Sequence, residues 1–379
     1  MLTLLELRSF KCFKLLRLPI APLTLLSGPN ASGKSSVLQA LVLLHQTMRE
    51  HEWATRLALN GNGVRLGTVV DVVDEVHGRT GFEIGVAFDD IDCHWKFEGD
   101  RRAMSLQVRS VSVNGTVIDG PEVLRHLLPL DCDDHGSRLA ARVRGLTYIT
   151  AERVGPQEAY ALEDPDDADV VGTRGEHTVS LLHWKRDVPV QTALMLANAA
   201  PNLLPQVEAR MRRLFPGCDV NLQQLPRTNA VVLGLRISRE TEFHRPIHTG
   251  FGLTQILPIV VAALAEAEGG IMLLENPEVH LHPAGQAMMG EFLADVANAG
   301  VQVVVETHSD HVLNGIRRAV RSERLSPEQV AIHFFKPRSE KGDQVYSPML
   351  DATGNIDVWP EGFFDQFDKD MNYFAGWGD

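Results

Sequence analysis

Gly28, Gly33, Lys34 and Ser35 stand at the fixed spacing G-x-x-x-x-G-K-[ST], inside Gly28-Pro29-Asn30-Ala31-Ser32-Gly33-Lys34-Ser35-Ser36. A turn of this kind cradles phosphate. Main-chain N–H groups point inward at anionic oxygens, and glycine lets the chain come close enough. Leu23 to Leu26 close an apolar strand just before the loop, and Val37, Leu38, Leu41 and Leu44 recur at helical spacing just after it. The helix therefore begins with its positive dipole end at the anion. Lys34 is expected to bridge the β- and γ-phosphates of a nucleoside triphosphate such as ATP, and Ser35 to offer its hydroxyl to Mg²⁺.

Two more apolar runs end in side chains that could do chemistry. Ile271 to Leu274 deliver Glu275-Asn276-Pro277-Glu278, followed by Val279-His280-Leu281-His282-Pro283. An acid at the carboxyl end of a buried parallel strand lies where ligands gather, which makes Glu275 a candidate partner of the metal. Val301 to Val305 run into Glu306-Thr307-His308-Ser309-Asp310-His311. Ahead of both, Gly250-Phe251-Gly252-Leu253-Thr254-Gln255 opens an apolar helix, another anion-receptive turn. Ala151-Glu152-Arg153-Val154-Gly155-Pro156 also follows a strand. Arg153 could reach a phosphate or a partner chain, or pair internally with a carboxylate, and the residues alone leave these open.

The elements that must position these groups are read from the rest of the chain. Its 379 residues allow two or three structural units. The net charge of −13, from 36 basic and 49 acidic residues, argues against nonspecific grip on a nucleic-acid backbone. Cys12, Cys93, Cys132 and Cys218 lie far apart and read as buried reduced thiols of a cytoplasmic protein. No apolar run reaches the roughly 18 residues of a membrane span, and the N-terminus enters patterned sequence without a signal peptide.

Leu2 to Leu7 and Lys14 to Pro19 are expected as a strand pair, with Phe10 and Phe13 in the core rather than stacked on a base. In Leu59 to Val76 the Val-rich end is expected as strand or short helix, and Asp71 and Asp74 as solvated loop carboxylates, the alternative being that one of them reaches Mg²⁺ and the attacking water. Phe82 to Phe88, Trp95 to Phe97, Ser105 to Val113 and Leu146 to Thr150 alternate like antiparallel strands, and Leu181 to Ala199 and Pro205 to Phe215 look helical. The acidic turn from Glu163 to Asp169 is expected as a mobile surface loop. Arg210, Arg212 and Arg213, beside Glu208, are expected on a solvated face, with a nucleic-acid contact as the alternative.

In this order, from the N-terminal strand pair to Trp359-Pro360-Glu361-Gly362-Phe363-Phe364-Asp365, the chain resembles the ABC-type AAA ATPases related to the OLD, RecF and SMC proteins. Within them it is similar to the single-chain prokaryotic branch often encoded in phage-defence operons. The resemblance implies an α/β P-loop NTPase fold with a mixed central sheet, an N-terminal antiparallel side sheet and an inserted block of strands and helices. Residues 1–80 and 246–335 would be the two halves of the ATPase core, 81–245 the insertion and 336–379 a tail packed on the core. It makes Gly28 to Ser36 the Walker A loop and Glu275 the Walker B metal-associated acid. Gly250, Gly252, Thr254 and Gln255 become a signature-like loop offered to the γ-phosphate of a second copy, Glu278 to His282 a dimer-facing loop, and His308 the switch histidine. It further implies a homodimer around ATP and Mg²⁺, and a separate effector protein, a nuclease or another toxic enzyme.

Two positions depart from the pattern. Glu275 replaces the usual Asp with the same charge on a longer arm. Asn276 stands where relatives carry the carboxylate that orients the attacking water; an amide cannot take a proton as a base, though it can hydrogen-bond a water. Slow hydrolysis, with Glu275 or Glu278 assisting, and ATP binding as a clamp or scaffold both follow. A different class of reading takes His280, His282, His308, Asp310 and His311 as Zn or Mn ligands of a metal-dependent nuclease.

Overall fold

The computed structural model describes the chain apart from residues 75, 77–79, 90, 133, 165–169, 239, 339–342 and 376–379. Most of the expected acidic turn, 165–169, thus lies outside the described residues. From the N-terminus, β1 (Leu2–Phe10) and β2 (Phe13–Pro19) form a hairpin, and β3 (Leu23–Ser27) leads through the phosphate loop into α1 (Lys34–Glu50). Next come β4 (Arg56–Ala58), the single turn α2 (Val69–Val72), and the run β5 (Gly81–Phe88), β6 (Ile91–Glu98), β7 (Ser105–Val113) and β8 (Thr116–Asp119). After them follow α3 (Asp134–Arg144), β9 (Thr147–Ile149), β10 (Tyr160–Ala161), α4 (Thr178–Lys185), α5 (Leu203–Leu214), β11 (Asp219–Gln224) and β12 (Ala230–Arg236). The chain closes with α6 (Phe251–Ala265), β13 (Ile271–Glu275), α7 (Pro283–Asn298), β14 (Gln302–Glu306), α8 (Asp310–Arg321), β15 (Val330–Phe335), β16 (Val345–Tyr346) and α9 (Gln366–Ala375).

The strands sort into three sheets. A six-stranded central sheet runs β16-β15-β3-β14-β13-β9, parallel throughout except for β16. A seven-stranded antiparallel sheet follows the order β2-β1-β5-β6-β7-β4, with β8 also on β7, and β10-β12-β11 make a small third sheet. Residues 81–245 therefore contribute strands to all three sheets. Every residue of β3 and β14 is buried, as parallel strands covered on both faces require. Alternate side chains feed opposite cores. Met272, Leu274, Val303 and Val305 meet α6, α7 and α8, whereas Ile271, Leu273 and Val304 meet α1 and the antiparallel sheet.

Several expectations shift. Thr147 to Ile149 pairs parallel with β13, because three residues carry no signal of direction and the neighbouring strand decides it. The helix expected through Ala199 stops at Lys185, ahead of Pro189, since the residue before a proline is driven out of helical geometry. Phe10 and Phe13 are buried, as expected. Asp74, expected in solvent, is fully buried and takes Arg338 Nη1 at 2.8 Å, while Asp71 caps α2 through Thr68. Arg210 is also buried, bonded to Asp295 at 3.2 Å and stacked over Phe292, so the α5 arginines do not form one solvated face. Cys93 and Cys218 are buried, but Cys12 and Cys132 only partly so. No helix among the described residues is long and apolar enough to cross a membrane.

α7 and α8 pack backbone against backbone, and this contact fixes the two loops that follow β13 and β14. A Cβ on Gly290 would fall 2.1 Å from Val312 O, and one on Gly315 would fall 2.0 Å from Ala287 O. Gly315→Ala should therefore cost roughly 1–3 kcal/mol, because rigid main chain must move aside. Gly250, with nothing within 4 Å of its would-be Cβ, should accept Ala within about 0.5 kcal/mol. Denaturant unfolding of the two variants checks both; equal stability would refute the packing argument.

Candidate functional site

β3 delivers the chain into a loop that folds over its own lysine. Gly28 adopts φ +141° and Gly33 φ +107°, the only two glycines of the loop, and both positions exclude side chains. A Cβ at Gly28 would meet Phe335 O at 2.3 Å, and one at Gly33 would meet the Phe13 ring at 2.5 Å. Phe13 thus underpins the loop from the core side. Pro29, Asn30 and Ala31 form its exposed tip, and Ser32 Oγ donates to Pro29 O at 2.8 Å. Lys34 opens α1 and is 3% exposed, its Nζ donating to Gly28 O and Pro29 O at 2.9 Å each. Burial lowers its pKa, and Glu306, 3.8 Å away, opposes that. Ser35 and Ser36 follow in the first turn of the helix.

The strand order sets which acids reach this loop. β14 lies between β3 and β13, with Glu306 in register with Leu26 on one side and Glu275 on the other. Ser35 Oγ donates to Glu306 Oε1 at 3.1 Å. Glu275 is engaged from the opposite side, by Tyr148 Oη at 2.7 Å and the Ala151 N–H at 3.2 Å. Sequence reasoning placed Glu275 at the metal and overlooked Glu306 as a site residue, although the same signal, an acid closing a buried apolar strand, marks both. Burial raises the Glu306 pKa, with Glu275 and Glu278 adding like charge, while Ser35 and Lys34 pull it down.

The loop after β13 is held by Arg153. Its guanidinium, 5% exposed, donates to Glu275 O at 3.3 Å and Asn276 O at 2.8 Å. Burial lowers its pKa to about 10 despite Glu278 and Glu275. The internal role left open by the sequence is therefore filled mainly by carbonyls. Asn276 sits at φ +43° and donates its N–H to Glu306 O at 2.8 Å. Glu278 accepts the His308 N–H at 3.0 Å, and burial raises its pKa. His308 itself is exposed at the end of the site, its pKa lowered by partial burial and then by Lys34.

Gly250 to Gln255 lie against the same segment. Gln255 Nε2 donates to Arg153 O at 3.2 Å and Val154 O at 3.3 Å, Thr254 Oγ1 donates to Phe251 O, and both side chains are buried. The Phe251 ring packs edge-on against His280 at 4.9 Å, and a Cβ on Gly252 would meet His280 O at 2.9 Å. His282 caps α7 by accepting from the Ala284 N–H, and His311 Nε2 is 3.8 Å from Asp310. The described residues hold no group of three or more His, Cys, Asp or Glu side chains arranged for a metal, so the histidine-cluster reading finds no such arrangement.

A cavity of about 810 Å³ opens between Gly28, Pro29, His308 and the C-terminal residues Gly362, Phe364 and Lys369. A second, of about 1120 Å³, reaches Glu275 and Tyr148 from beside α1. The site's fit to a charged ligand is tested by its polar atoms. Of seven buried side-chain N or O atoms without a partner among the described residues, five belong to Thr150, Arg153, Asn276, Glu278 and Glu306. Unsatisfied polar atoms are costly to bury, and their concentration here marks a place where a ligand, cation or water completes the bonding. One hydroxyl, a carboxylate and phosphate oxygens are donors that suit Mg²⁺.

Fold and loop together define an α/β P-loop NTPase fold of the ABC type. A family model described as the AAA ATPase domain matches residues 1–107 and 220–313, more than half of the chain. The chain belongs to that family. A second model, described as a protein of unknown function (DUF3696), matches residues 325–373. Among solved structures, the Smc head bound to the C-winged helix domain of ScpA is similar with a TM-score of 0.58 at 16% identity, covering 92% of this chain and 98% of that one. The Smc head domain with an extended coiled coil bound to the C-terminal domain of ScpA, from Pyrococcus furiosus, gives 0.57 at 12% identity, covering 99% and 98%. No curated protein matches the chain significantly.

Removing Arg153 should loosen the loop without touching the core. Arg153→Met keeps the length of the arm but leaves two carbonyls short of a donor, which costs roughly 1–3 kcal/mol. Denaturant titration should register that loss, and wild-type stability would show that the guanidinium holds nothing.

Proposed function

We propose that the protein binds and slowly hydrolyses ATP at Gly28 to Ser36, with two copies closing around the nucleotide. The observation that carries this reading is the Lys34 ammonium, buried and held at 2.9 Å by two carbonyls of its own loop. A cation kept dehydrated against weak acceptors is ready to exchange them for phosphate oxygens. The main-chain N–H groups from Gly33 to Ser35 lie at the start of α1 and would take the remaining oxygens. Ser35 and the strand-end acids would receive Mg²⁺, the resemblance giving the metal-associated position to Glu275. When bound, Mg²⁺ neutralises charge between the β- and γ-phosphates. His308, its pKa held down, would hydrogen-bond the terminal phosphate as a neutral ring.

Slow turnover is favoured by Asn276, whose Oδ1, unpartnered among the described residues, can orient a water but not deprotonate it. Glu278, raised in pKa by burial and with Oε2 unpartnered among the described residues, is with Glu275 a candidate assisting carboxylate. Support for the second copy comes from Gly250, open on its side-chain face, and its exposed apolar neighbours Ile247 (42%) and Phe251 (46%). Gly250 and Gly252 would present main chain to the partner's phosphate, with Thr254 and Gln255 bracing them from inside. Closure and hydrolysis would then act on a separate effector, a nuclease or another toxic enzyme, in anti-phage defence or DNA maintenance. Support for the effector is the sequence resemblance, together with the Smc heads solved with a bound ScpA domain. The cytoplasm is the compartment that fits such a partner.

Lys34→Ala should abolish hydrolysis and weaken ATP binding at least about tenfold, the worth of a charge-assisted hydrogen bond. Fluorescent-nucleotide titration and phosphate release measure the two, and unchanged values would sink the site. Asn276→Glu should raise kcat by about tenfold or more, because a base then assists the attack. An unchanged kcat would move the slow step to product release or assembly.

A further inference from the structure

Two glutamates close adjacent strands at the mouth of the phosphate loop, and their surroundings differ. Glu275 has both oxygens engaged from the β9 side, Oε1 by Tyr148 Oη at 2.7 Å and Oε2 by the Ala151 N–H at 3.2 Å. Glu306 faces the loop. Its Oε1 accepts from Ser35 Oγ at 3.1 Å and lies 3.8 Å from Lys34 Nζ, and its Oε2 has no partner among the described residues although the residue is only 5% exposed. The topology explains the difference. β14 is hydrogen-bonded to β3 directly, so Glu306 stands one strand spacing, roughly 4.8 Å, from the loop strand, whereas Glu275 stands two away.

A carboxylate buried with a bare oxygen is unfavourable unless a cation or donor meets it. Glu275 and Glu278 add like charge around Glu306, and Lys34 is the cation beside it. A divalent ion would relieve this arrangement, and Ser35, the hydroxyl expected to ligate it, is already bonded to Glu306 and not to Glu275.

We propose that Glu306, rather than Glu275, is the carboxylate that works with Ser35 to receive the Mg²⁺ of a bound nucleotide. Glu275 is then a positioning residue, which ties Tyr148 and the start of the Arg153 segment to the end of β13. The inference rests on the reading of Gly28 to Ser36 as the nucleotide site. It differs from the resemblance in which strand end carries the metal-associated acid.

The test uses the full chain, Mn²⁺ as the spectroscopic stand-in for Mg²⁺, and a non-hydrolysable ATP analogue. Nucleotide affinity in EDTA is measured first, and then Mn²⁺ affinity of the nucleotide complex by electron paramagnetic resonance. Glu306→Gln should weaken Mn²⁺ binding about tenfold or more without weakening the metal-free nucleotide affinity, which loss of a negative charge beside Lys34 leaves equal or tighter, as for loss of a group that ligates or orients a metal ligand. Glu275→Gln should change Mn²⁺ affinity less than about threefold. Glu306→Asp, which keeps the charge on a shorter arm, should fall between wild type and Glu306→Gln and serves if the Gln variant does not fold. Wild-type Mn²⁺ affinity in the Glu306 variants, or a larger loss in Glu275→Gln, overturns the inference and leaves the nucleotide site standing. Failure of the wild-type chain to bind the analogue overturns both.

Discussion

A single buried ammonium organises the site. Lys34 is almost wholly buried, and its charge is met by two loop carbonyls and the more distant Glu306 carboxylate. Carbonyl dipoles stabilise a cation less than a full anion does, so the Lys34 charge is only partly met within the fold. The loop can hold this shape only because Gly28 and Gly33 occupy left-handed backbone against Phe335 O and the Phe13 ring. The antiparallel hairpin that carries Phe13 thereby supports the loop from the core side.

Around the lysine, hydrogen bonds form a continuous path. Gln255 grips the main chain at Arg153, Arg153 grips the main chain at Asn276, Asn276 donates to Glu306 O, and Glu306 takes the Ser35 hydroxyl. Each link joins a different element, so a displacement of the Gly250 loop has a physical route to the phosphate loop. Such a route is a geometric fact about packing; coupling along it is an energetic quantity that a double-mutant cycle of Gln255 and Arg153 would measure. The same path explains why four of the unpartnered buried polar residues, Arg153, Asn276, Glu278 and Glu306, crowd one place.

The carboxylates illustrate how far composition differs from arrangement. Glu275, Glu278 and Glu306 all follow apolar strands within a short span of chain, yet one is tied to Tyr148, one to the His308 N–H and one to Ser35. Identical side chains thus have different uses because neighbouring strands, not neighbouring residues, decide what they meet. Arg210 and Asp74 make the same point on the periphery, since each was expected in solvent and each is buried against an opposite charge from a distant segment.

The sequence by itself determined the glycine-lysine loop and the buried parallel strands at Leu23, Ile271 and Gln302, because those features are written in local spacing: fixed glycines, unbroken apolar runs and the helical period after Lys34; the ABC-type α/β class came from the resemblance of the whole ordered set to a family. It also marked Asn276, Glu278 and His308 as polar residues at strand ends. Only the tertiary structure decided that Thr147 to Ile149 runs parallel beside β13, that Arg153 spends its charge on carbonyls, and that Glu306 rather than Glu275 reaches Ser35. Those outcomes depend on the order of strands across the sheet and on which side chains lose their water. The contacts that decide them, Thr147 with Met272, Arg153 with Asn276 and Ser35 with Glu306, join residues more than a hundred positions apart, for which one chain carries no local signal.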